Sequence, residues 1–332
     1  MSRASGSSRK ILPRKHTLSL PKLVLAPMAG ISDLPYRMLN RKFGAEFAFT
    51  EMVNARSLSY NNVKALELLG SAKGDRPLGV QLVGNEPEYI NRAIEKLHKF
   101  RFDLLDFNAA CPERKVVAKG EGAALLKDLK KLKRILKIFV RESKWPVTVK
   151  LRGGWDKNTV NARDAARCAE DAGVAAIFIH GRTRNQLYSG TVDYGIIKEV
   201  KGAVKVPVIG SGDVLSGPQA KKMFDETGCD GILIARGALG NPWIFAEIEQ
   251  YLARGTCPPR PSKKEVTKTM AAHLNASIRC FGAKRAVPSF RKFFAWYTRG
   301  LDNVRQLRVK ACFASTKKEM LAVIKEIELN YS

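Results

Sequence analysis

Short apolar runs alternate with longer stretches of helical spacing from about residue 22 to residue 250 of this chain. The apolar runs predict eight buried strands, at residues 23–26, 46–49, 78–82, 104–107, 147–150, 175–179, 206–209 and 231–235. The stretches between them predict helices, at residues 34–43, 54–69, 86–99, 123–140, 161–172 and 216–227. Eight strand-and-helix units in succession are typical of a closed (β/α)8 barrel, the TIM barrel.

A doubly wound parallel sheet is the competing architecture for such an alternation. That fold usually carries a glycine-rich fingerprint after its first strand, whereas this chain has Ala26-Pro27-Met28-Ala29-Gly30 there. We therefore expect the barrel, with its functional side chains at the C-terminal ends of the strands.

The pattern changes at residues 258–261, where three prolines in four residues predict a linker. Beyond it only helical spacing is found, and Ser262 with Glu265 predicts a capping box at the start of a helix. The sequence therefore predicts a basic flexible tail at 1–21, a (β/α)8 barrel at 22–254 and a small helical domain at 262–332.

The chain is strongly basic, with 58 Lys or Arg against 31 Asp or Glu and a net charge of +27. Residues 260–332 hold 16 basic and 5 acidic residues, and residues 1–22 hold six basic and no acidic ones. Such an excess predicts a phosphate-rich partner such as nucleic acid. A generally basic proteome is the alternative explanation.

The sequence argues against a membrane protein and against a metal site. No apolar run approaches the roughly 18 residues of a membrane span, and the N-terminus lacks an apolar signal core. The six cysteines form no C-x-x-C pair, and the four histidines are widely spaced. We expect a reduced, cytoplasmic protein without a metal.

Polar side chains and glycines gather at the predicted C-terminal ends of the strands, where barrels have their active sites. Gly212 opens the seventh loop and Gly237 the eighth, and these loops commonly bind a phosphate through backbone N–H groups. Each candidate also has a structural alternative, such as a rim charge, a buried histidine or a turn glycine. The candidates are Gln81, Asn108, Cys111, Lys150, His180, Arg182, Ser211, Gly212, Asp213 and Arg236.

This set suits a phosphorylated planar cofactor better than a metal, and FMN fits it well. We expect Lys150 and His180 to stabilise the negative charge of a reduced flavin, and Gln81 to hydrogen-bond the edge of its ring.

A thiol, Cys111, follows the fourth predicted strand and is fixed by Pro112, whose ring biases the preceding residue toward an extended conformation. An unperturbed thiol, with a pKa of about 8.5, is largely protonated at neutral pH and can supply a proton to match a hydride. The alternative is a free cysteine that acts as a small hydrophobic core residue.

Eight segments together are similar to the tRNA-dihydrouridine synthases, over roughly residues 22–312. They are APMAGISDLPYR, VQLVGNEP, DFNAACPERKVVAKGEGAALL, VKLRGGW, IHGRTRNQLYSG, VIGSGDV, ILIARGALGNPWIF and, in the tail, RAVPSFRKFFAWYTRGL. The resemblance implies an FMN-containing barrel with an appended helical domain that helps to bind tRNA. It implies NADPH-dependent reduction of the C5–C6 bond of a uridine in tRNA to 5,6-dihydrouridine.

The resemblance also implies roles for single residues. Cys111 would protonate C5 while reduced FMN delivers hydride to C6, and Asn108 and Arg182 would lie beside the target uracil. The residues implied to bind FMN are Pro27, Met28, Ala29, Gln81, Lys150, His180, Ser211, Gly212, Asp213, Ala235 and Arg236. The chain departs from the common pattern at Ala110 and Ala235, where glycine is frequent, and at Ser211, where asparagine is.

The resemblance gives the basic charge a role. A stacked uridine must be turned out of folded tRNA at a cost of a few kcal/mol, and contacts between basic side chains and phosphates can offset that cost. We hypothesise that Arg291 and Lys292 contact phosphate and help to offset that cost. NADPH as reductant and a monomeric state are expected. The alternatives are an FMN barrel that acts on a free pyrimidine-like small molecule, and a non-catalytic RNA-binding barrel.

Overall fold

A closed barrel of eight parallel strands, paired in sequence order, forms the centre of the protein. The structure, a computed structural model, describes residues 20–330, so the predicted tail at 1–21 lies almost wholly outside the described residues. The predicted TIM barrel is confirmed. The strands are β1 (Leu23–Leu25), β2 (Phe47–Asn54), β3 (Leu78–Val83), β4 (Leu104–Asn108), β5 (Val147–Arg152), β6 (Ala176–His180), β7 (Val208–Ser211) and β8 (Gly231–Ile234).

Ten α-helices accompany these strands in the described part of the barrel, and four more follow it. The barrel helices are α1 (Leu34–Lys42), α2 (Ala55–Ser59), α3 (Val63–Glu67), α4 (Pro87–Leu97), α5 (Arg114–Val117), α6 (Leu129–Glu142), α7 (Ala162–Asp171), α8 (Tyr194–Ala203), α9 (Gly217–Thr227) and α10 (Ile244–Arg254). The C-terminal helices are α11 (Lys263–Phe281), α12 (Ala283–Tyr297), α13 (Arg305–Phe313) and α14 (Lys317–Asn330).

Two predicted helices are wrong in extent, each because a side chain caps a helix inside the predicted span. The segment 54–69 forms two short helices, since Asn62 accepts a hydrogen bond from the backbone of Ala65 and restarts the chain as α3. The segment 123–140 is divided at Asp128, whose carboxylate caps α6. The residues before Asp128 form a 3-10 helix over Gly122–Lys127. The predicted capping box of Ser262 and Glu265 is present at the start of α11.

Two strands extend at least two residues past their predicted ends, and both differences bring polar side chains to the barrel mouth. β2 continues to Asn54 through a bulge, because the pairing passes from Phe49 opposite Gly79 to Met52 opposite Gln81. One extra residue is thus inserted into β2. β5 continues past Lys150 to Arg152, so Lys150 lies within the strand and does not end it.

The lower part of the barrel interior is filled by apolar side chains. Phe47, Phe49 and Phe178 are buried there, and the rings of Phe49 and Phe178 meet edge to face at 5.4 Å. A Cβ on Gly79 would lie 2.3 Å from the ring of Phe49, so the strand requires glycine at that position. Because this layer closes the barrel from below, a ligand has room only at the C-terminal ends of the strands.

The C-terminal helices contact α1 through α11 and through an aromatic cluster of α12. Phe290, Phe293 and Tyr297 are buried, and Phe293 stacks on Tyr36 of α1 at 5.7 Å between ring centroids. These aromatic side chains are therefore core residues. The hydrophobic core runs from the barrel into these helices without interruption, and the independence of 262–332 as a domain stays a prediction.

None of the helices between residues 20 and 330 has the length and apolar character that crossing a bilayer requires.

Candidate active site

A cavity of about 420 Å³ lies at the C-terminal ends of the strands and is bounded by residues from all parts of the barrel. It brings together most of the side chains that the sequence singles out. The predicted residues that line it are Pro27, Met28, Ala29, Gln81, Asn108, Cys111, Lys150, His180, Ser211, Gly212, Asp213, Ala235 and Arg236. Residues from β3, β4, β5, β6 and β7 and from the loops after β1 and β8 therefore meet in one place.

Cys111 is held at the cavity wall by backbone contacts on both sides. Its N–H donates to Oδ1 of Asn108 at 2.8 Å, and its carbonyl accepts from the N–H of Ala123 at 3.0 Å. A Cβ on Gly122 would lie 2.7 Å from that carbonyl oxygen, so the returning loop can approach Cys111 only as glycine. Burial is the main reason that the pKa of the Cys111 thiol lies above its usual value. The thiol is therefore protonated at neutral pH.

A relay of buried amide and carboxylate groups fixes the side chain that positions Cys111. Asn108 Nδ2 donates to Gln81 Oε1 at 2.8 Å, and Gln81 Nε2 donates to Asp106 Oδ2 at 2.7 Å. Thr148 Oγ1 completes it by donating to Asp106 Oδ1 at 2.6 Å. Burial raises the pKa of Asp106 to about 6, against the hydrogen bonds from Thr148 and Gln81. The direction of each hydrogen bond in the relay is fixed. At one end Asn108 Oδ1 accepts from backbone N–H groups, so its Nδ2 must be the donor to Gln81; at the other end the Asp106 carboxylate can only accept.

Basic groups make the floor of the cavity electropositive. Burial, reinforced by the charge of Arg152, lowers the pKa of Lys150 to about 7. Lys150 Nζ donates to the hydroxyl of Ser211 at 3.1 Å. Burial and the charge of Lys150 hold the pKa of His180 well below its usual value, so its imidazole is neutral. Within the described part of the chain, Nε2 of His180 is buried and has no hydrogen-bond partner.

The loops after β7 and β8 each contain a glycine, Gly212 and Gly237, at a position where a side chain would clash with neighbouring atoms. A Cβ on Gly212 would lie 2.6 Å from Val192, where the φ angle is also +127°. A Cβ on Gly237 would lie 2.2 Å from the carbonyl oxygen of Val214. Both glycines line the cavity on the side where phosphate binding is predicted.

Asp213 connects two arginines at this side. Its carboxylate accepts from Arg182 Nη2 and from Arg236 Nη2. Burial opposes ionisation of Asp213, but the hydrogen bonds and charges of the two arginines outweigh it and lower the pKa of this carboxyl. The Asp213 side chain therefore orients Arg236, which is 41% exposed and free to meet an anion with its remaining donors.

Three predicted substrate-binding residues do not line the cavity. Arg182 is 1% exposed and lies behind the wall, where it donates to the carbonyl oxygens of Ser189 and Gly190. Arg291 donates to the carbonyl oxygen of Ala314, and Lys292 to that of Gly30. Contact of these three residues with substrate stays a prediction.

Arg152 and Tyr188 line the cavity although the sequence pattern did not identify them. Arg152 donates to the carbonyl oxygens of Ala110 and Thr183, and so supports the Cys111 loop. The ring of Tyr188 lies 5.5 Å from the guanidinium of Arg152 and 5.0 Å from that of Arg236. The alternation of β5 would have found Arg152, because it lies two residues beyond Lys150 and so on the same face.

The site fits a flavin mononucleotide by its own chemistry. The unpartnered Nε2 of His180 and the half-buried amino group of Lys150 can meet an electron-rich ring edge. The backbone at Gly212 and Gly237, with Arg236 beside it, can meet a phosphate. Among the described residues, no group of three or more His, Cys, Asp or Glu could hold a metal ion.

Residues 24–330 match the dihydrouridine synthase (Dus) family. The chain belongs to this family of flavin-dependent oxidoreductases that act on tRNA. It is 37% identical over 306 residues to tRNA-dihydrouridine synthase B of Xanthomonas campestris pv. campestris, and the match covers 92% of each chain. It is 39% identical over 287 residues to a probable tRNA-dihydrouridine synthase of Rickettsia conorii, and that match covers 86% of this chain and 87% of the relative.

A solved structure of low sequence similarity shares the fold. The histamine dehydrogenase of Rhizobium sp. 4-9 superposes with a TM-score of 0.53 at 11% identity. The match covers 77% of this chain and 49% of that one. At this identity the likeness concerns the barrel alone.

The lowered pKa of Lys150 predicts a pH dependence of stability in the flavin-free protein. Between about pH 7 and pH 10.5 the unfolded chain binds a proton on Lys150 that the folded chain does not, so stability rises with pH. From pH 7 to pH 9 we expect this residue to add about 2 kcal/mol to the free energy of unfolding. Urea unfolding at both pH values measures it, with Lys150→Met as control. Equal pH slopes in the two proteins would contradict the lowered pKa.

The relay predicts different results for two substitutions of Asp106. Asp106→Leu leaves the buried Nε2 of Gln81 without an acceptor and should lower the free energy of unfolding by about 1–3 kcal/mol. Asp106→Asn keeps an acceptor for Gln81 and can donate to Thr148 Oγ1, which then accepts, so we expect a loss below about 1 kcal/mol. Urea unfolding compares them. Equal losses would mean that the negative charge of Asp106, and not its hydrogen bonding, is what matters.

Proposed function

We propose that the protein reduces the C5–C6 bond of uridine in tRNA to 5,6-dihydrouridine, with FMN as cofactor and NADPH as reductant. The observation that carries this proposal is the meeting, in one cavity, of a protonated thiol at Cys111 with the basic floor formed by Lys150 and His180. A monomeric state and a cytoplasmic location belong to the same proposal.

FMN would lie along the C-terminal ends of the strands. Its ring would be held by Pro27, Met28, Ala29, Gln81, Lys150 and His180, and its phosphate side by Ser211, Gly212, Asp213, Ala235 and Arg236. Gln81 already uses Nε2 and Oε1 within the relay, so its contact to the ring would use the second Nε2 hydrogen. Bound and reduced, FMN supplies the hydride that adds to C6 of the base.

Cys111 would donate the matching proton from Sγ to C5. Burial keeps the proton on the thiol, and Asn108 holds the Cys111 backbone in place. Asn108 accepts with Oδ1 from the N–H groups of both Ala110 and Cys111. Its remaining free group is one Nδ2 hydrogen, which favours a carbonyl oxygen of the base as its partner.

Basic and hydrogen-bonding side chains of the cavity wall would stabilise the negative charges that develop in the reaction. After the thiol has lost its proton, the thiolate lies near Arg152, whose charge acts on Cys111. Lys150 and His180 would stabilise negative charge that develops on the ring edge. The residues of this chain would thus supply both the proton donor and the electrostatic stabilisation.

Recognition of tRNA would rest on backbone phosphates and shape. The net charge of +27, with +11 in residues 260–332, supports a polyanion as substrate rather than a free base. Arg291 and Lys292 of α12 and Arg182 near the cavity are the proposed tRNA-binding residues. Phosphate contacts by α12 would help to offset the few kcal/mol of turning a base out of its stack.

Replacement of Cys111 tests the proton donor. Cys111→Ala should bind FMN and oxidise NADPH nearly as the wild type does, but should slow uridine reduction by roughly 10²–10⁴-fold. Mass spectrometry of nucleosides from unmodified tRNA, incubated with protein, FMN and NADPH, measures the product, a uridine heavier by two hydrogen atoms. Free uracil and orotate serve as parallel substrates.

Four outcomes test the function and the role of the thiol. Dihydrouridine from the wild type alone supports the proposal in full. Normal turnover by Cys111→Ala removes the thiol from the mechanism. Reduction of uracil or orotate without tRNA, and none of tRNA, identifies a small-molecule enzyme, whereas no FMN binding at all identifies a non-catalytic barrel.

Replacement of Arg291 tests the tRNA contact of α12. Arg291→Gln should weaken tRNA binding and reduce the slope of log affinity against log salt by about 1, the value for one phosphate contact. Arg291→Lys also loses the guanidinium that donates to Ala314 but keeps the charge, so it should retain the slope. Binding titrations at several salt concentrations measure both, and an unchanged slope in Arg291→Gln would exclude the contact.

A further inference from the structure

The two peptide groups that flank the Cα of Gly30 are each held by a charged side chain, and the two charges are of opposite sign. Its N–H donates to Oε2 of Glu51, and its carbonyl oxygen accepts from Nζ of Lys292. Glu51 belongs to β2, whereas Lys292 belongs to α12, 262 residues away from Gly30 along the chain. Hydrogen bonds with a charged partner are stronger than neutral ones. Here the carboxylate faces the N–H of the Ala29–Gly30 peptide, and the ammonium faces the carbonyl oxygen of the Gly30–Ile31 peptide.

The bulge in β2 is what aims Glu51 at Gly30. Pairing with β3 skips Thr50 and Glu51, because Phe49 lies opposite Gly79 and Met52 opposite Gln81. A bulge re-aims a side chain and is frequent beside active sites. The side chain of Thr50 is buried, and that of Glu51 is directed to the loop after β1.

Gly30 lies at the centre of the loop that forms one wall of the active-site cavity. Met28 and Ile31, on either side of it, line that cavity. The loop is a tight turn, in which the carbonyl oxygen of Met28 accepts from the N–H groups of Ile31 and Ser32. Gly30 has a φ of +71°, which a residue with a Cβ rarely adopts. The position of the Gly30 peptide therefore determines how Met28 faces the cavity.

Lys292 reaches this loop across a second, smaller cavity of about 200 Å³ between the barrel and α12. Gly30, Glu51 and Lys292 all line it, together with Phe290 and Phe293 of the aromatic cluster. A Cβ at Gly30 would meet only Nζ of Lys292, at 3.8 Å. The flanking Met28 and Ile31 pack on the core. At Gly30 itself there is open space, so the two charged contacts, rather than close packing, hold the backbone there.

We propose that Lys292 and Glu51 are positioning residues that hold the Gly30 loop in the shape that binds the flavin. Lys292 thereby makes the C-terminal helices part of the cofactor site, acting on the wall of the main cavity through Gly30. The inference rests on the proposed function in so far as the ligand of the main cavity is FMN.

The experiment measures FMN affinity of the full-length protein in the absence of tRNA, by quenching of flavin fluorescence. Lys292→Met should raise the Kd for FMN roughly tenfold, as expected when one charge-assisted hydrogen bond is lost. The visible absorption band of the bound flavin should also shift, because the environment of its ring changes. Lys284→Met, which removes an exposed positive charge from the same helix, should leave both unchanged.

Two further variants separate positioning from loss of folding. Lys292→Arg keeps a charged donor and should restore FMN affinity to within about threefold of the wild type. Glu51→Gln keeps an acceptor for the Gly30 N–H but removes the charge, so its effect should lie between those of wild type and Lys292→Met. If Lys292→Met does not fold, as judged by its Tm, the Glu51→Gln titration decides.

The outcomes distinguish this inference from the proposed function. If the wild type binds no FMN, the proposed function is wrong. A wild type that binds FMN, with Lys292→Met binding it equally well, overturns the positioning role. A loss of tRNA affinity in Lys292→Met without a change in the Kd for FMN identifies a phosphate contact instead, and so overturns the inference as well.

Discussion

The structure is organised around an excess of positive charge at the mouth of the barrel. Lys150, Arg152, Arg182 and Arg236 all act on His180 there, whereas Asp213 pairs with only two of them, Arg182 and Arg236. Lys150 has a hydroxyl as its hydrogen-bond partner, and Arg152 has backbone carbonyls. Burial lowers the pKa of Lys150 even though the charge of Asp106 acts on it, because the desolvation of a cation is offset only by close opposite charge. An anionic ligand in the cavity would offset more of this cost.

Much of this site was predictable, because a barrel brings the residues after every strand to one rim. Cys111, Lys150 and His180 follow or end apolar runs, so strand periodicity alone predicts that they lie together. Arg152 was missed because the glycines after it suggested an earlier strand end. Its side chain in fact continues the alternation of β5, two residues beyond Lys150. The strand itself was predicted correctly, and only its C-terminal end was placed too early. Local sequence determines the ends of a strand less well than it determines that a strand is present.

Asp106 and Glu51 could not be predicted from the pattern, and the reason is the same for both. Asp106 is an isolated charge within an apolar strand, and its role depends on Gln81 of β3 and Thr148 of β5, which flank it in the sheet. Glu51 acts only because a bulge changes the register between β2 and β3. Hydrogen bonding between neighbouring strands is a tertiary property. Buried polar networks of this kind specify orientation rather than add much stability.

A barrel that acts on a base within a large folded RNA faces a problem that a small-molecule enzyme does not. Its substrate is held at a distance by phosphate contacts, while the chemistry needs an alignment of within about 0.5 Å. A helical domain that only bound RNA could shift relative to the cofactor. Because α12 contacts the loop that lines the cavity through Lys292 and Gly30, displacement of the helices and displacement of the cavity wall are linked. Helix α12, which is expected to contact the RNA, is thus held in a fixed position relative to the active-site cavity.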